Sequence, residues 1–150
     1  MTGIPRRRPN PCPEEAAFLE LLRTTDTLSR ALVPVLKAED LSPNQYNVLR
    51  ILRGAPEGLP CGEIANRMIT RDPDITRLLD RLEKRKWVSR CRETQDRRTV
   101  LTRITPEGLQ ILASLDVPVR EVHIQQLGHL GTKQLQALTR LLQASRRAPA

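Results

Sequence analysis

Three times beyond residue 13 a residue able to cap a helix stands directly before proline: Ser42-Pro43, Asp72-Pro73 and Thr105-Pro106. Proline lacks an N–H and fixes φ, so it suits the first turn of a helix, and it pushes the residue before it towards extended backbone. The chain must therefore enter a helix afresh at each of these places. Ser42 is followed three residues on by Gln45, the reciprocal pair of a capping box. Asp72 reads as the N-cap of its helix with Pro73 in first position, and Asp74 favours the positive end of the helix dipole.

The stretches between these starts carry apolar periods. From Glu14, Phe18, Leu21, Thr25, Leu28, Leu32 and Val35 recur at alternating steps of three and four, a seam suited to packing along another helix, with Pro34 expected to kink or restart it. Tyr46, Leu49, Ile51 and Leu52 mark a second helix ending at Gly54. After APEGLP comes a short helix near Gly62–Met68, with Ile64, Ala65 and Met68 inward. Ile75, Leu78, Leu79 and Leu82 form the buried stripe of the next helix, which closes on Lys84, Arg85 and Lys86. WVSRCRE and TVLTRIT alternate as two short strands around the turn TQDRR. A long helix follows the Thr105 cap, with Leu109, Leu112, Leu115, Val119, Val122 and Leu127 on its stripe and a bend at Pro118. Gly128 and Gly131 interrupt it, and Thr132 caps a last helix with Leu135, Leu138, Leu141 and Leu142.

With one Phe, one Tyr and one Trp, aliphatic side chains must fill the core, which suits helix packing better than a sheet sandwich. The fold class is therefore mainly α with a small β-hairpin (α+β). Residues 41–105 run helix, short helix, turn, helix, hairpin, the order of a winged helix-turn-helix lobe. The helices over 14–40 and 106–145 exceed what that lobe needs for its own core, and are expected to cover each other across a homodimer. Residues 1–13 read as a flexible basic arm and 146–150 as a flexible tail.

Charge points the same way. The net charge is +8, and residues 67–103 alone hold 12 basic and 6 acidic side chains. Removing the buried stripe from the helix after Pro73 leaves Asp74, Thr76, Arg77, Asp80, Arg81, Lys84 and Arg85 facing out. Arginine can take guanine bidentately and a threonine methyl can touch thymine. The same arginines could instead pair with Asp74, Asp80 or Glu83 along the helix surface. The hairpin tip is odder, because Asp96 is followed by two adjacent arginines, Arg97 and Arg98, whose charges repel. On a wing beside a helix in the major groove, one could reach the neighbouring minor groove and the other could lie along phosphate. Asp96 would hold a neighbouring arginine or a turn amide and aim the tip.

Other classes find less. His123 and His129 sit in no nucleophile or metal constellation, and there is no Gly-rich phosphate loop, so no enzyme and no cofactor are expected. Phe18, Tyr46 and Trp87 read as core residues, which leaves no aromatic platform for single-stranded RNA. A sequence-independent architectural DNA-binding protein remains an alternative, because charge alone supplies affinity for any duplex. Cys12, Cys61 and Cys91 lack metal spacing, and Cys61 and Cys91 read as buried or half-buried packing residues. Cys12 reads as a spectator in a mobile arm; a redox-responsive regulator would use Cys12, if a helix N-terminus favoured its thiolate. The three N-terminal arginines have no apolar run behind them, and no segment approaches a membrane span, so a soluble cytoplasmic protein is expected.

The segments LSPNQYNVLRIL, CGEIANRM, DITRLLDRLEKRKWVSR and DRRTVLTRITPEG together resemble the MarR (multiple antibiotic resistance regulator) family of bacterial winged-helix transcription factors. The last segment fits that family's D-x-R wing, followed by a strand and L/I-T-x-x-G. The resemblance implies a homodimer on a pseudo-palindromic operator, usually a repressor, with Asp96 and Arg98 as the wing pair. It also implies a pocket for a small phenolic or anionic effector between the dimerisation helices and the DNA-binding lobe. Arg23, Arg30, Lys37 and Tyr46 are the candidates to meet such a ligand. Two positions depart from the family pattern. Lys86 stands where glycine is common and must either take a left-handed conformation or end the helix differently, and Phe18 stands where the peroxide-sensing branch has its cysteine.

Overall fold

Two of the three capped starts form as their spacing predicts. In the computed structural model, which describes Asn10 and residues 12–147, the Ser42 hydroxyl accepts from the Gln45 amide at 3.1 Å while the Gln45 side chain accepts from the Ser42 amide at 3.0 Å. The Thr105 hydroxyl accepts from the Gly108 amide at 3.0 Å. The middle start is displaced by two residues. Asp74, not Asp72, is the N-cap, accepting from the Arg77 amide at 3.1 Å. Asp72 serves the turn instead: one oxygen accepts from the Asp74 amide at 2.9 Å and the other from the Asn44 amide group at 2.8 Å. Those two donors, the backbone amide first, hold the Asp72 carboxyl below its ordinary range.

The helices are α1 (Pro13–Lys37), α2 (Pro43–Arg53), α3 (Cys61–Arg67), α4 (Ile75–Lys84), α5 (Pro106–Leu127) and α6 (Gly131–Ser145). The strands are β1 (Leu59–Pro60), β2 (Val88–Arg92) and β3 (Val100–Ile104). The expected hairpin is thus the larger part of a three-stranded antiparallel sheet of order β1-β3-β2, with Leu59 opposite Thr102 and Val88 opposite Ile104. β1 has two residues, too few for any alternation to reveal, and its Pro60 lies on an edge, where a missing N–H is tolerated. α1 starts one residue earlier than expected, with the Cys12 thiol accepting from the Glu15 amide at 3.4 Å, so Cys12 caps a helix and is not part of a loose arm. Most of the predicted arm, and the last three residues of the predicted tail, lie outside the described residues. α6 has no Thr132 cap. It follows a 3-10 turn (Gly128–Leu130), from which Gly131 leads the chain at φ +74°.

The core lies where α2, α3, α4, the sheet and the first half of α5 meet, around Leu49, Leu52, Ile64, Leu79, Leu82, Val88, Leu112 and Leu115. α3 buries Ile64, but Ala65 faces out. The outer helices behave differently. α1 runs through Pro34 without interruption and buries only Leu36 fully, and α6 buries nothing fully. Phe18, placed in the core by its pattern, is 58% exposed, and Leu141 is 69% exposed.

One joint fixes how the lobe meets α5. At the end of α4 the Arg85 guanidinium stacks over Trp87, 3.6 Å from the ring centroid, and donates to the carbonyls of Asp40 and Glu39. Lys86 then takes the left-handed conformation at φ 63°, and its carbonyl accepts from the Thr105 hydroxyl at 2.6 Å. The Trp87 carbonyl accepts from the Thr105 amide and passes so close to Gly108 that a Cβ there would lie 2.3 Å from it. Only glycine fits that approach, which explains the last residue of the TPEG run. Left-handed backbone is costly for lysine, so Lys86→Gly should raise stability by about 1 kcal/mol. Urea unfolding checks this, and a midpoint equal to or below wild type would contradict it.

Candidate nucleic-acid interface

The turn from α3 to α4 is held by α2. The Asn47 side-chain oxygen accepts from the Ile69 amide at 2.8 Å, and Asn44 holds Asp72 as described above. With Leu78, Leu79 and Leu82 buried, Thr76, Arg77, Asp80, Arg81 and Lys84 are exposed on the outer side of α4. Asp74 stands at its N-terminus with one oxygen committed to the cap.

Arg90 of β2 determines which of these charges are free. Its guanidinium reaches Asp80 at 2.5 Å and Glu83 at 3.0 Å and 3.2 Å, and the Arg90 amide donates to Glu83 at 3.1 Å. Arg90's side-chain hydrogen bond holds the Glu83 carboxyl below its ordinary range. Hydrogen bonds to Glu83 and then Asp80 hold Arg90 above its own. Asp80 and Glu83 are therefore taken up by the wing strand. Among the described residues neither Arg77 nor Arg81 has an ion-pair partner, so the helix-surface pairing open to them in the sequence does not form. Arg90 was not singled out from the sequence, yet the signal was there: the two-residue period that buries Val88 puts Arg90 on the same face of the strand, against α4.

The wing tip is braced from within. One Asp96 oxygen accepts from the Arg98 amide at 3.0 Å and the other from the Thr99 hydroxyl at 3.1 Å. Arg92 donates to the Arg97 carbonyl at 2.8 Å. Of the two partners expected for Asp96, the turn amide is the one found. Arg97 and Arg98 are exposed, and neither has an ion-pair partner among the described residues. Cys91, expected to pack, is exposed on the wing strand with its sulfur accepting from Arg103 at 3.0 Å.

A second feature lies away from α4. A cleft of about 440 Å³ opens between α2, the second half of α5 and the start of α6. Tyr46, Arg50 and Arg53 line it from α2, and Asp116, Arg120 and His123 from α5. Arg50 lies 5.8 Å from the centre of the Tyr46 ring, and burial pushes the Tyr46 phenol up, so it stays a neutral hydrogen-bond donor. Arg53 meets both oxygens of Asp116, at 2.9 Å and 3.0 Å. Of the sequence candidates for a ligand site only Tyr46 is here. Arg23 and Arg30 pair with Glu20 and Asp26 on exposed α1, and Lys37 lines a different groove beside α4. Among the described residues no group of His, Cys, Asp and Glu could hold a metal ion, and no helix is long and apolar enough to cross a membrane.

Residues 41–100 match a family model described as the MarR family. The crystal structure of a MarR transcription factor from Planctomyces limnophilus is 40% identical, covering 91% of this chain and 99% of its own, with a TM-score of 0.68. The chain belongs to the MarR family. Its family is one of transcriptional regulators with a winged-helix DNA-binding fold. The HTH-type transcriptional regulator PecS of Dickeya dadantii is 33% identical over 94 residues, and there the match spans 61% of this chain but only 57% of PecS. The homoprotocatechuate degradative operon repressor of Escherichia coli is 25% identical over 129 residues, 86% of each chain. The Lys86 departure from the MarR pattern is met by adopting the left-handed backbone that a glycine would take more easily.

Because Glu83's folded pKa lies below its ordinary 4.5, its pairing with Arg90 contributes fully above that value and is lost as pH falls through the lower folded value. Arg90→Met should therefore destabilise the protein by about 1 kcal/mol at neutral pH, allowing for solvent screening, with the gap narrowing as pH falls below 4.5. Denaturation of both proteins across that range measures it. A gap independent of pH would contradict the role given to Glu83.

Proposed function

We propose that the protein is a homodimeric repressor that binds double-stranded DNA at a pseudo-palindromic operator and is released by a small anionic or phenolic effector. The observation that carries the DNA reading is the distribution of pairing: Arg90 and Asp96 use up or turn inward the carboxylates beside the interface, while Arg77, Arg81 and Arg98 keep free guanidiniums on exposed ground. Thr76 and Arg77, near the N-terminus of α4, read base edges in the major groove, and Arg81 follows one turn behind. Asp74 acts as the helix cap. Arg98 enters the adjoining minor groove, where phosphate potential is focused, and Arg97 lies along the backbone. The repulsion between these two arginines is relieved by the polyanion.

The dimer reading is supported by the apolar side chains that one protomer leaves open on its outer helices, among them Phe18, Ile124 and Leu141. A two-fold axis through those helices sets two α4 helices on half-sites about one helical turn apart. The effector reading is supported by the cleft, which sets Arg50, Arg53 and Arg120 against the single carboxylate of Asp116 between the outer helices and the DNA-binding lobe. Repression is the direction suggested by the operon repressor of E. coli, to which the chain is similar.

Substitution separates the roles. Arg98→Ala should lower affinity about tenfold on every duplex tested and make the salt dependence shallower, with folding intact because the tip is exposed. Arg77→Ala should narrow the ratio between specific and competitor DNA. Binding isotherms over a salt series measure both effects, and unchanged affinity for Arg98→Ala would end the wing assignment.

A further inference from the structure

The Arg53–Asp116 pair is, among the described residues, the one ion pair that joins α2 to α5, and it forms a wall of the cleft. α2 belongs to the DNA-binding lobe, and α5 carries the outer helices, so this contact spans the boundary any effector must act across. Both side chains are partly open, at 36% and 49% exposure, so the pair is a weak tie that another anion can displace. One guanidinium nitrogen meets both oxygens of Asp116, a contact weaker than the two-nitrogen fork that an incoming carboxylate could form with Arg53. Arg120 lies one turn further along α5 and lines the same cleft, where it can receive Asp116 once Arg53 is taken. The Tyr46 ring, Val119, Ile124 and Leu127 supply an apolar wall for a ring.

We propose that Asp116 is a built-in stand-in for the effector's carboxylate: it occupies Arg53 in the free protein and yields it to a single-ring aromatic carboxylate. The exchange transfers Asp116 to Arg120 and removes the one ion pair that joins α2 to α5 among the described residues, leaving their shared apolar core in place. This rests on the effector reading above and adds the residue that sets its affinity and its response. Occupied by Asp116, Arg53 is competent for ligand only part of the time, and apparent affinity falls by that fraction. Removing the stand-in should therefore tighten ligand binding while weakening the signal, because no tie is left to break.

The experiment uses the full chain, with 4-hydroxyphenylacetate as probe and its neutral amide as control. Calorimetry gives ligand affinity, and DNA binding with and without probe gives the response. Wild type should bind the acid and not the amide. Asp116→Asn and Asp116→Ala should both bind the acid about tenfold more tightly, with their ligand-dependent loss of DNA affinity reduced. Arg53→Gln should bind it about tenfold more weakly. Because these positions are partly exposed, all three variants should melt as wild type does. Equal affinity in wild type and both Asp116 variants overturns the stand-in and leaves the effector reading in place. No binding of the acid to wild type or Asp116→Asn overturns the proposed ligand class. A wild type that binds no DNA in the same assays fails the regulator reading itself.

Discussion

The clamp from Arg90 to Asp80 and Glu83 is the interaction on which the proposed DNA-binding side depends. It joins α4 to the wing strand, so the helix and the hairpin keep one mutual angle. It also removes two acidic side chains from the surface that would meet phosphate. Without it, Asp80 would lie one turn from Arg77 and from Lys84 with nothing to hold it, and the free cations of α4 would be partly neutralised. One arginine, half-buried at 24% side-chain exposure, thus leaves two others, Arg77 and Arg81, without carboxylate partners among the described residues. The wing repeats the arrangement on a smaller scale. Asp96 spends both its oxygens within the turn, and the two arginines after it are left to an outside partner.

Much of this was legible in the sequence where the signal is local. Caps act within four residues, so Ser42 with Gln45 and Thr105 with Gly108 could be read directly. The aliphatic stripe of α4 did the same for its outward face. The middle start was displaced because two aspartates flank Pro73, and both can cap. Which one does so depends on Asn44 of α2 holding Asp72 back, a contact 28 residues away in sequence. β1 escaped notice because it exists only through its pairing with Thr102 and Leu101. The cleft was illegible for the same reason: its arginines come from α2 and α5, more than 60 residues apart, and nothing in either helix marks them as facing one another. Arg90 lay between these cases. Its face followed from strand alternation, but its partners did not.

Phe18 shows a different limit. Its periodic seam was correctly read as apolar and helical, yet burial is a property of the assembly, and one protomer leaves that seam open. Together with Leu141 on α6, it is open apolar surface that the proposed second copy would cover. The joint at Lys86, Thr105 and Gly108 gives that surface its mechanical meaning, since it fixes the start of α5 to the end of α4 through a backbone approach only glycine allows. Under the proposed effector response, any movement of the outer helices would reach α4 through this joint, and Arg53–Asp116 is a partly exposed tie along the same boundary.

The central claim is that two such lobes read one symmetric duplex. Selecting bound fragments from the source genome at about 150 mM salt with excess competitor DNA tests it most directly. The account predicts an enriched inverted repeat whose half-sites lie about ten base pairs apart, centre to centre. Fragments retained without any shared sequence, or with a single unpaired half-site, would contradict it.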